Sequence, residues 1–300
     1  MDSDTGKVIK GVGGLYTVRT PSGTVEARGR GVFRKDGLKI LIGDNVAVSS
    51  DDENTGGFVI TEVLPRKNQM IRPAAANVDN IFLVISASEP KPDLMLLDRI
   101  LAVSESKNIL PFIVINKMDR DPEEAGRLFE EYRCAVRGGV FVTALAGGDA
   151  GETTAGIRNM IPAGVTVLAG QSGVGKSTLT NLILGRSAMD TGALSSKLGR
   201  GKHTTRHSEL FEISGGRYVV DSPGFSLFDA MDGIAPSELK TLYPELSELP
   251  GCRFPDCSHT GEPGCLAEGL LAEGKLSPGR YGRYKALYRE LKEKEKNKYK

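Results

Sequence analysis

Long apolar runs are missing from these 300 residues, and so is a surplus of charge of either sign. No stretch approaches the ~18 apolar residues of a membrane-spanning helix, so no membrane partner is expected. Lys and Arg number 39 against 38 Asp and Glu, a formal net charge of +1. The balance also holds locally. Residues 1–66 carry nine basic and nine acidic side chains, and residues 233–300 carry twelve and ten. Global charge therefore does not by itself point to a nucleic-acid partner, and only local clusters bear on one. Cysteine is scarce, with 4 residues in the whole chain. Without a secretory leader pattern, that scarcity argues against a disulfide framework and for reduced thiols.

What the chain has in quantity is glycine, 37 residues of it, and one glycine-rich segment carries chemistry. Gly170-Gln171-Ser172-Gly173-Val174-Gly175-Lys176-Ser177 fits G-x-x-x-x-G-K-[ST] without a mismatch. Glycines in such a loop let the backbone curl so that successive N–H groups face phosphate oxygens, and the lysine adds a point charge. Ser177 offers a hydroxyl to magnesium. Residues 165–169 predict a strand before the loop, and residues 177–184, with Thr178 in the first turn, predict a helix after it. Farther on, the apolar residues 218–220 lead into Asp221-Ser222-Pro223-Gly224, 44 residues after Ser177 (221 − 177). An Asp in that place can hold magnesium through water, and the glycine can give a backbone N–H to a γ-phosphate.

A third segment bears on the base. Asn116-Lys117-Met118-Asp119 closes the apolar run 109–115, at a strand's carboxyl end, where open α/β sheets bind ligands. A carboxylate accepts two parallel N–H bonds, and guanine offers them from its ring N–H and amino group. Adenine does not, so Asp119 is read as a guanine filter, worth roughly 1–3 kcal/mol. Residues 139–142 end in Thr143-Ala144-Leu145, a small-residue turn of the kind whose backbone meets the guanine oxygen. In most GTPases the phosphate loop comes first. Here the guanine-reading segment precedes it, so the chain visits these parts in permuted order. Between the phosphate loop and Asp221 lie residues 199–207, where a GTPase keeps a mobile loop, and either Thr204 or Thr205 fits the threonine that closes on magnesium. An ATP-dependent kinase would keep the phosphate loop but leave Asp119 without a task.

Cys252, Cys257, His259 and Cys265 are spaced C-x4-C-x-H-x5-C, within 14 residues. Three thiolates and an imidazole make a closed tetrahedral zinc site, which is structural because no position is left for substrate. Pro255, Gly261, Pro263 and Gly264 supply the turns that bring the ligands together. Cys134 stands apart and reads as an ordinary thiol.

The two ends differ in character. Short β-type runs at 6–9, 15–19, 24–28, 45–48 and 58–63, separated by Gly and Pro turns, predict a small barrel, OB-like or SH3-like. Arg28, Arg30, Arg34, Lys35 and Lys39 cluster there, and residues 275–300 hold ten Lys or Arg against three Glu. Such runs are solvated faces or RNA contacts. Tyr281, Tyr284, Leu287, Tyr288 and Leu291 recur at helical spacing and predict a face packed on its own domain. Residues 292–300 are expected to fray. Composition divides the chain into a barrel (1–66), a nucleotide domain (67–232) and a zinc-binding domain (233–300).

The order N-K-x-D, G-Q-S-G-V-G-K-S, G-x-H-T-T, D-x-P-G, with a small β domain in front and a cysteine cluster behind, resembles the circularly permuted ribosome-assembly GTPases of the RsgA (YjeQ/YloQ) family over nearly the full length. The resemblance implies an α/β fold: a circularly permuted P-loop GTPase domain, an N-terminal OB-like β-barrel and a C-terminal zinc-binding, partly helical domain. It implies a GTPase that takes GTP and GDP with Mg2+, holds one structural Zn2+, and binds the small ribosomal subunit and its rRNA late in maturation. A cytoplasmic monomer is expected. Many GTPases place a water-orienting Gln directly after D-x-x-G. This chain has Phe225, an apolar replacement that the family shares, so slow hydrolysis by the chain alone is expected. His203, on the family's G-x-H-T-T motif, is the candidate catalytic group. The alternative is a GTP-gated rRNA-binding scaffold whose hydrolysis is incidental.

Overall fold

Alternating apolar and polar side chains at the start of the chain build five short strands. They are β1 (Asp4–Val12), β2 (Leu15–Thr20), β3 (Gly23–Gly29), β4 (Asn45–Asp51) and β5 (Gly57–Val63), with a short helix α1 (Gly31–Lys35) between β3 and β4. In this computed structural model, residues 4–298 are described, apart from 36, 52–56, 72, 147–149, 186–208, 222–230, 232 and 248. Gly13 and Gly14 both take positive φ, 61° and 88°, which gives the tight hairpin between β1 and β2 the twist its strands need. β1 pairs antiparallel with β2 and β4, β2 with β3, and β4 with β5, while β3 and β5 run parallel. The ladder closes in the order 1-2-3-5-4-1, the five-stranded Greek-key closure of an OB-like barrel rather than an SH3-like one. Val8, Val18, Ala27, Ile40, Val46, Val48 and Ile60 fill its core.

The chain continues through a two-residue ladder, β6 (Gln69–Met70) and β7 (Ala75–Ala76), into β8 (Val78–Ser86), α2 (Leu94–Ser106), β9 (Leu110–Asn116), α3 (Pro122–Tyr132), β10 (Val140–Val142) and α4 (Ala150–Met160). Then come β11 (Gly164–Ala169), α5 (Lys176–Leu184), β12 (Glu209–Ser214) and β13 (Arg217–Asp221). A 3-10 helix (Pro236–Leu242), α6 (Pro244–Ser247), α7 (Ala267–Ala272) and α8 (Pro278–Lys298) complete it.

Two compact units emerge. The first comprises Met1–Asn80, Thr154–Leu168 and Ser177–Ser226. Within it β11 runs parallel to β13, β12 antiparallel to β13, and β12 also bridges to β1 at Lys10↔Glu209. The second comprises Ile81–Thr153, Ala169–Lys176 and Leu227–Lys300. There β10 runs parallel to β9, which neighbours β8. β9 is buried along almost its whole length, the mark of a strand covered on both faces. Phe112 on β9 stacks on Phe82 of the neighbouring β8, with ring centroids 4.4 Å apart.

The C-terminal elements of this second unit share one core with α2. Leu239, Tyr243, Leu246, Tyr281, Tyr284, Leu287 and Leu291 pack with Ala102 and Val103, so the stripe expected on α8 is its packed face. The expected fray does not occur where the sequence suggested it. α8 continues through Lys298, with Lys292–Glu295 and Lys294–Glu290 pairs along its surface and no Gly or Pro to stop it. Among the described residues no helix is long and apolar enough to cross a membrane.

Candidate functional site

β11, residues 170–175 and α5 form the strand, loop and helix that a phosphate loop requires. Gly170, Gly173 and Gly175 all have positive φ, at 146°, 80° and 107°. A Cβ on Gly170 would lie 2.1 Å from the Val84 carbonyl oxygen, and one on Gly175 would lie 2.3 Å from Asn116 Nδ2. The loop is therefore glycine-bound by conformation and by two close neighbours. Lys176 opens α5 and its ammonium turns back to the Gln171 carbonyl. Burial lowers its pKa, an unfavourable environment that a nearby phosphate would reverse. Ser177 and Thr178 follow, half-buried in the first helical turn, while Gln171 is half-buried and Ser172 exposed in the loop.

Asn116 organises the rest. It sits at the carboxyl end of β9, buried, and both ends of its carboxamide are engaged. Nδ2 donates to the Val174 carbonyl at 2.8 Å, and Oδ1 accepts from Leu145 N at 3.0 Å and Thr143 Oγ1 at 3.3 Å. One side chain thus ties the phosphate loop to the turn 143–145. Thr143 N donates to the Ile115 carbonyl at 2.8 Å and Met118 N to the Thr143 carbonyl at 3.1 Å, so this turn is stitched to the N-K-x-D segment on both sides. Ala144 lies half-buried between them. Lys117 has φ 64°, and its ammonium reaches the Glu89 carbonyl at 2.5 Å. Burial lowers its pKa too, with Arg120 adding to the effect. Asp119 is exposed in the turn closed by Arg120 N to the Lys117 carbonyl at 3.0 Å. Asp121 then caps α3, accepting from Glu124 N at 3.0 Å.

Asp221 ends β13. The parallel register Val167↔Val220 sets it level with Leu168, on the strand that feeds the phosphate loop. His203, Thr204, Thr205, Gly224 and Phe225 lie outside the described residues.

The cysteine cluster assembles as a donor set. The ligand atoms of Cys252, Cys257, His259 and Cys265 lie within 4.8 Å of one another, and His259 Nδ1 is 3.5 Å from Cys252 Sγ and 3.4 Å from Cys265 Sγ. A tetrahedral zinc about 2.3 Å from each sulfur would space its donors about 3.7 Å apart. Soft thiolates with one imidazole suit that ion, so the four residues fit and could hold one zinc. Burial pushes the Cys257 thiol up to about 12 and raises that of Cys265, and it lowers the His259 pKa. The loop between ligands is shaped by Glu262. Its carboxylate accepts from Ser258 N at 2.8 Å, Thr260 N at 2.7 Å and Gly261 N at 3.1 Å. Burial alone would raise the Glu262 pKa, but these backbone donors outweigh it and hold the carboxyl at about 2.

Two contributions carried no sequence signal. The Leu145 N–H and the Glu89 carbonyl are backbone groups, and backbone partners leave no residue signature. Glu262 had a faint one, an acidic side chain inside a tight Gly- and Pro-rich ligand loop.

A phosphate loop, a guanine-type N-K-x-D segment ahead of it in the chain, an OB-like barrel in front and a Cys3His cluster behind define a circularly permuted P-loop GTPase. The RsgA GTPase family matches residues 63–231, and the RsgA N-terminal domain matches residues 5–58. The chain belongs to the RsgA family of GTPases and is a hydrolase of GTP. It is 41% identical over 291 residues to the small ribosomal subunit biogenesis GTPase RsgA of Ruminiclostridium cellulolyticum, covering 96% of this chain and 94% of that one. The protein of the same name from Caldanaerobacter subterraneus is 40% identical over 302 residues, with both chains fully covered. Among solved structures, YjeQ from Thermotoga maritima superposes with a TM-score of 0.78 at 31% identity, covering 97% of this chain and 99% of that one. YloQ, described as a circularly permuted GTPase, gives 0.77 at 32% identity, covering 98% and 96%.

Proposed function

We propose that this GTPase binds the small ribosomal subunit late in its maturation and uses GTP hydrolysis to leave it, turning over slowly alone and faster on the subunit. The observation that carries the nucleotide half is the Asn116 carboxamide, which joins the phosphate loop, the turn 143–145 and the strand end bearing Asp119. The subunit half is supported by the name that full-length relatives at about 40% identity share.

In this reading Asp119 takes the guanine ring N–H and amino group, and the 143–145 backbone meets the guanine oxygen. Lys117 flanks the base. The N–H groups of residues 170–175 and the Lys176 ammonium surround the phosphates, with Thr178 in the first turn of the helix behind them. Ser177 and Asp221 would hold magnesium, with Thr204 or Thr205, and magnesium would neutralise charge developing on the phosphates. Gly224 gives its N–H to the γ-phosphate. Phe225 cannot hydrogen-bond a water, so orientation of the nucleophile falls to another group, and His203 is the one we assign. The three parts of the chain, 1–66, 67–232 and 233–300, then act as subunit-facing barrel, nucleotide engine and zinc-stapled module.

The test is GTP turnover with and without purified small subunits, for the wild type and His203→Ala. The wild type is expected to be stimulated strongly. His203→Ala is expected to bind GTP normally and to lose on the order of 10–10³-fold in kcat on the subunit, about 1.4–4 kcal/mol of transition-state stabilisation. No stimulation of the wild type would favour a GTP-gated rRNA scaffold with incidental hydrolysis. Equal stimulation of both proteins would remove His203 from the mechanism.

A further inference from the structure

The exposed turn that carries Asp119 hangs between two elements, β9 before it and α3 after it. β9 is locked by Asn116. α3 packs beside β9 and β10 through the buried Ala125 and Leu128, and its buried polar anchor lies at its far end. α3 begins at Pro122, directly after its cap Asp121, and its eleven residues end at Tyr132. A helix of that length is a rod about 16 Å long, so a displacement at one end is delivered to the other.

The far end is held by the C-terminal helix. Asp98 of α2 is fully buried and accepts three bonds: from the Tyr132 hydroxyl at 3.0 Å, from Arg280 Nη1 at 2.6 Å and from Arg283 Nε at 2.5 Å. Both arginines belong to α8. Arg283 Nη2 also donates to Glu131 Oε1 at 2.6 Å and to the Tyr132 oxygen at 3.1 Å. Arg280 is 1% exposed, pairs with Glu245 as well, and lies 4.3 Å above the Tyr243 ring. One carboxylate therefore gathers α2, α3 and α8. Removing an arginine leaves buried carboxylate charge short of a partner, and removing the Tyr132 hydroxyl takes one donor from Asp98, so the members depend on one another.

A carboxylate that takes two parallel N–H bonds works only within about 0.5 Å of its proper place. We infer that Asp98, Tyr132 and Arg283 are positioning residues for Asp119: the C-terminal helix, through α3, sets the guanine selectivity of the nucleotide site. The inference rests on Asp119 as the partner of guanine.

The experiment compares affinities for GDP and IDP in the full-length chain, by competition with a fluorescent guanine nucleotide. IDP lacks the 2-amino group, so the GDP-to-IDP preference reads one Asp119 bond apart from every phosphate contact. Tyr132→Phe keeps the ring and removes one donor to Asp98, and Arg283→Gln is a second, independent cut. The preference is expected to fall about threefold or more in both variants, each measured well below its own melting temperature. A wild-type preference kept in both variants would overturn the inference. So would an equal weakening of GDP and IDP, which is what a merely loosened fold produces. A wild-type chain with no preference for GDP over IDP would instead sink the reading of Asp119 itself, and the inference with it.

Discussion

Lys176→Ala is expected to cut GTP turnover by on the order of 10²–10³-fold or more, because a charged donor aimed at developing phosphate charge in a sheltered loop is worth about that much. The same substitution is not expected to lower the melting temperature. Burial works against the Lys176 ammonium and lowers its pKa in the folded chain. A lysine whose folded pKa lies below its unfolded one takes up protons more readily when unfolded, so its charge opposes folding at neutral pH, and alanine relieves that. Single-turnover hydrolysis with a thermal melt of both proteins checks the pair of outcomes. Undiminished turnover would show that the loop is not the phosphate cradle, and a collapse in melting temperature would show that Lys176 is structural.

Cys257→Ser is expected to take bound zinc from one per chain to none and to loosen residues 252–265. Binding free energies of structural zinc in small sites run to about 10–16 kcal/mol and are spent on folding the ligand loop. Cys257 is 3% exposed, and burial pushes its thiol up to about 12. Without a metal the buried sulfur keeps its proton, and a serine hydroxyl in the same place would not ionise at all. The loop would still have Glu262 gathering its N–H groups, and the Tyr284 hydroxyl still reaches the Ser258 carbonyl. Loosening is therefore expected to stop short of α8. Metal analysis and hydrogen exchange across 252–265 test this, together with a titration in which zinc leaves as acid protonates the three thiolates. GTP affinity should change little. Full zinc occupancy in Cys257→Ser would rule out the four-residue site.

Local chemistry was readable in the sequence where all its parts lie close together. The barrel strands showed as short alternating runs between Gly and Pro turns, and four metal donors within 14 residues left few alternatives. The phosphate loop is a contiguous motif. Long-range roles were not readable. Asn116 meets Val174 from 58 positions away, and Asp98 meets Arg280 from 182 away. An asparagine in N-K-x-D looks like a base contact, and its hold on the phosphate loop appears only once β9 and residues 169–176 come together. Asp98 reads as one charge on an amphipathic helix, yet it is wholly buried because α8 covers it. The persistence of α8 to Lys298 was missed for a related reason: the lysine count suggested fraying, while the interleaved glutamates supply partners one turn away.

Whether nucleotide state controls engagement with the small ribosomal subunit, as proposed, is tested most directly by co-sedimentation. The full-length chain is spun with purified small subunits in GDP and in a non-hydrolysable GTP analogue. The analogue-bound protein is expected to travel with the subunit and the GDP-bound protein to remain in the supernatant. Equal binding in the two states, or binding in neither, would contradict the account.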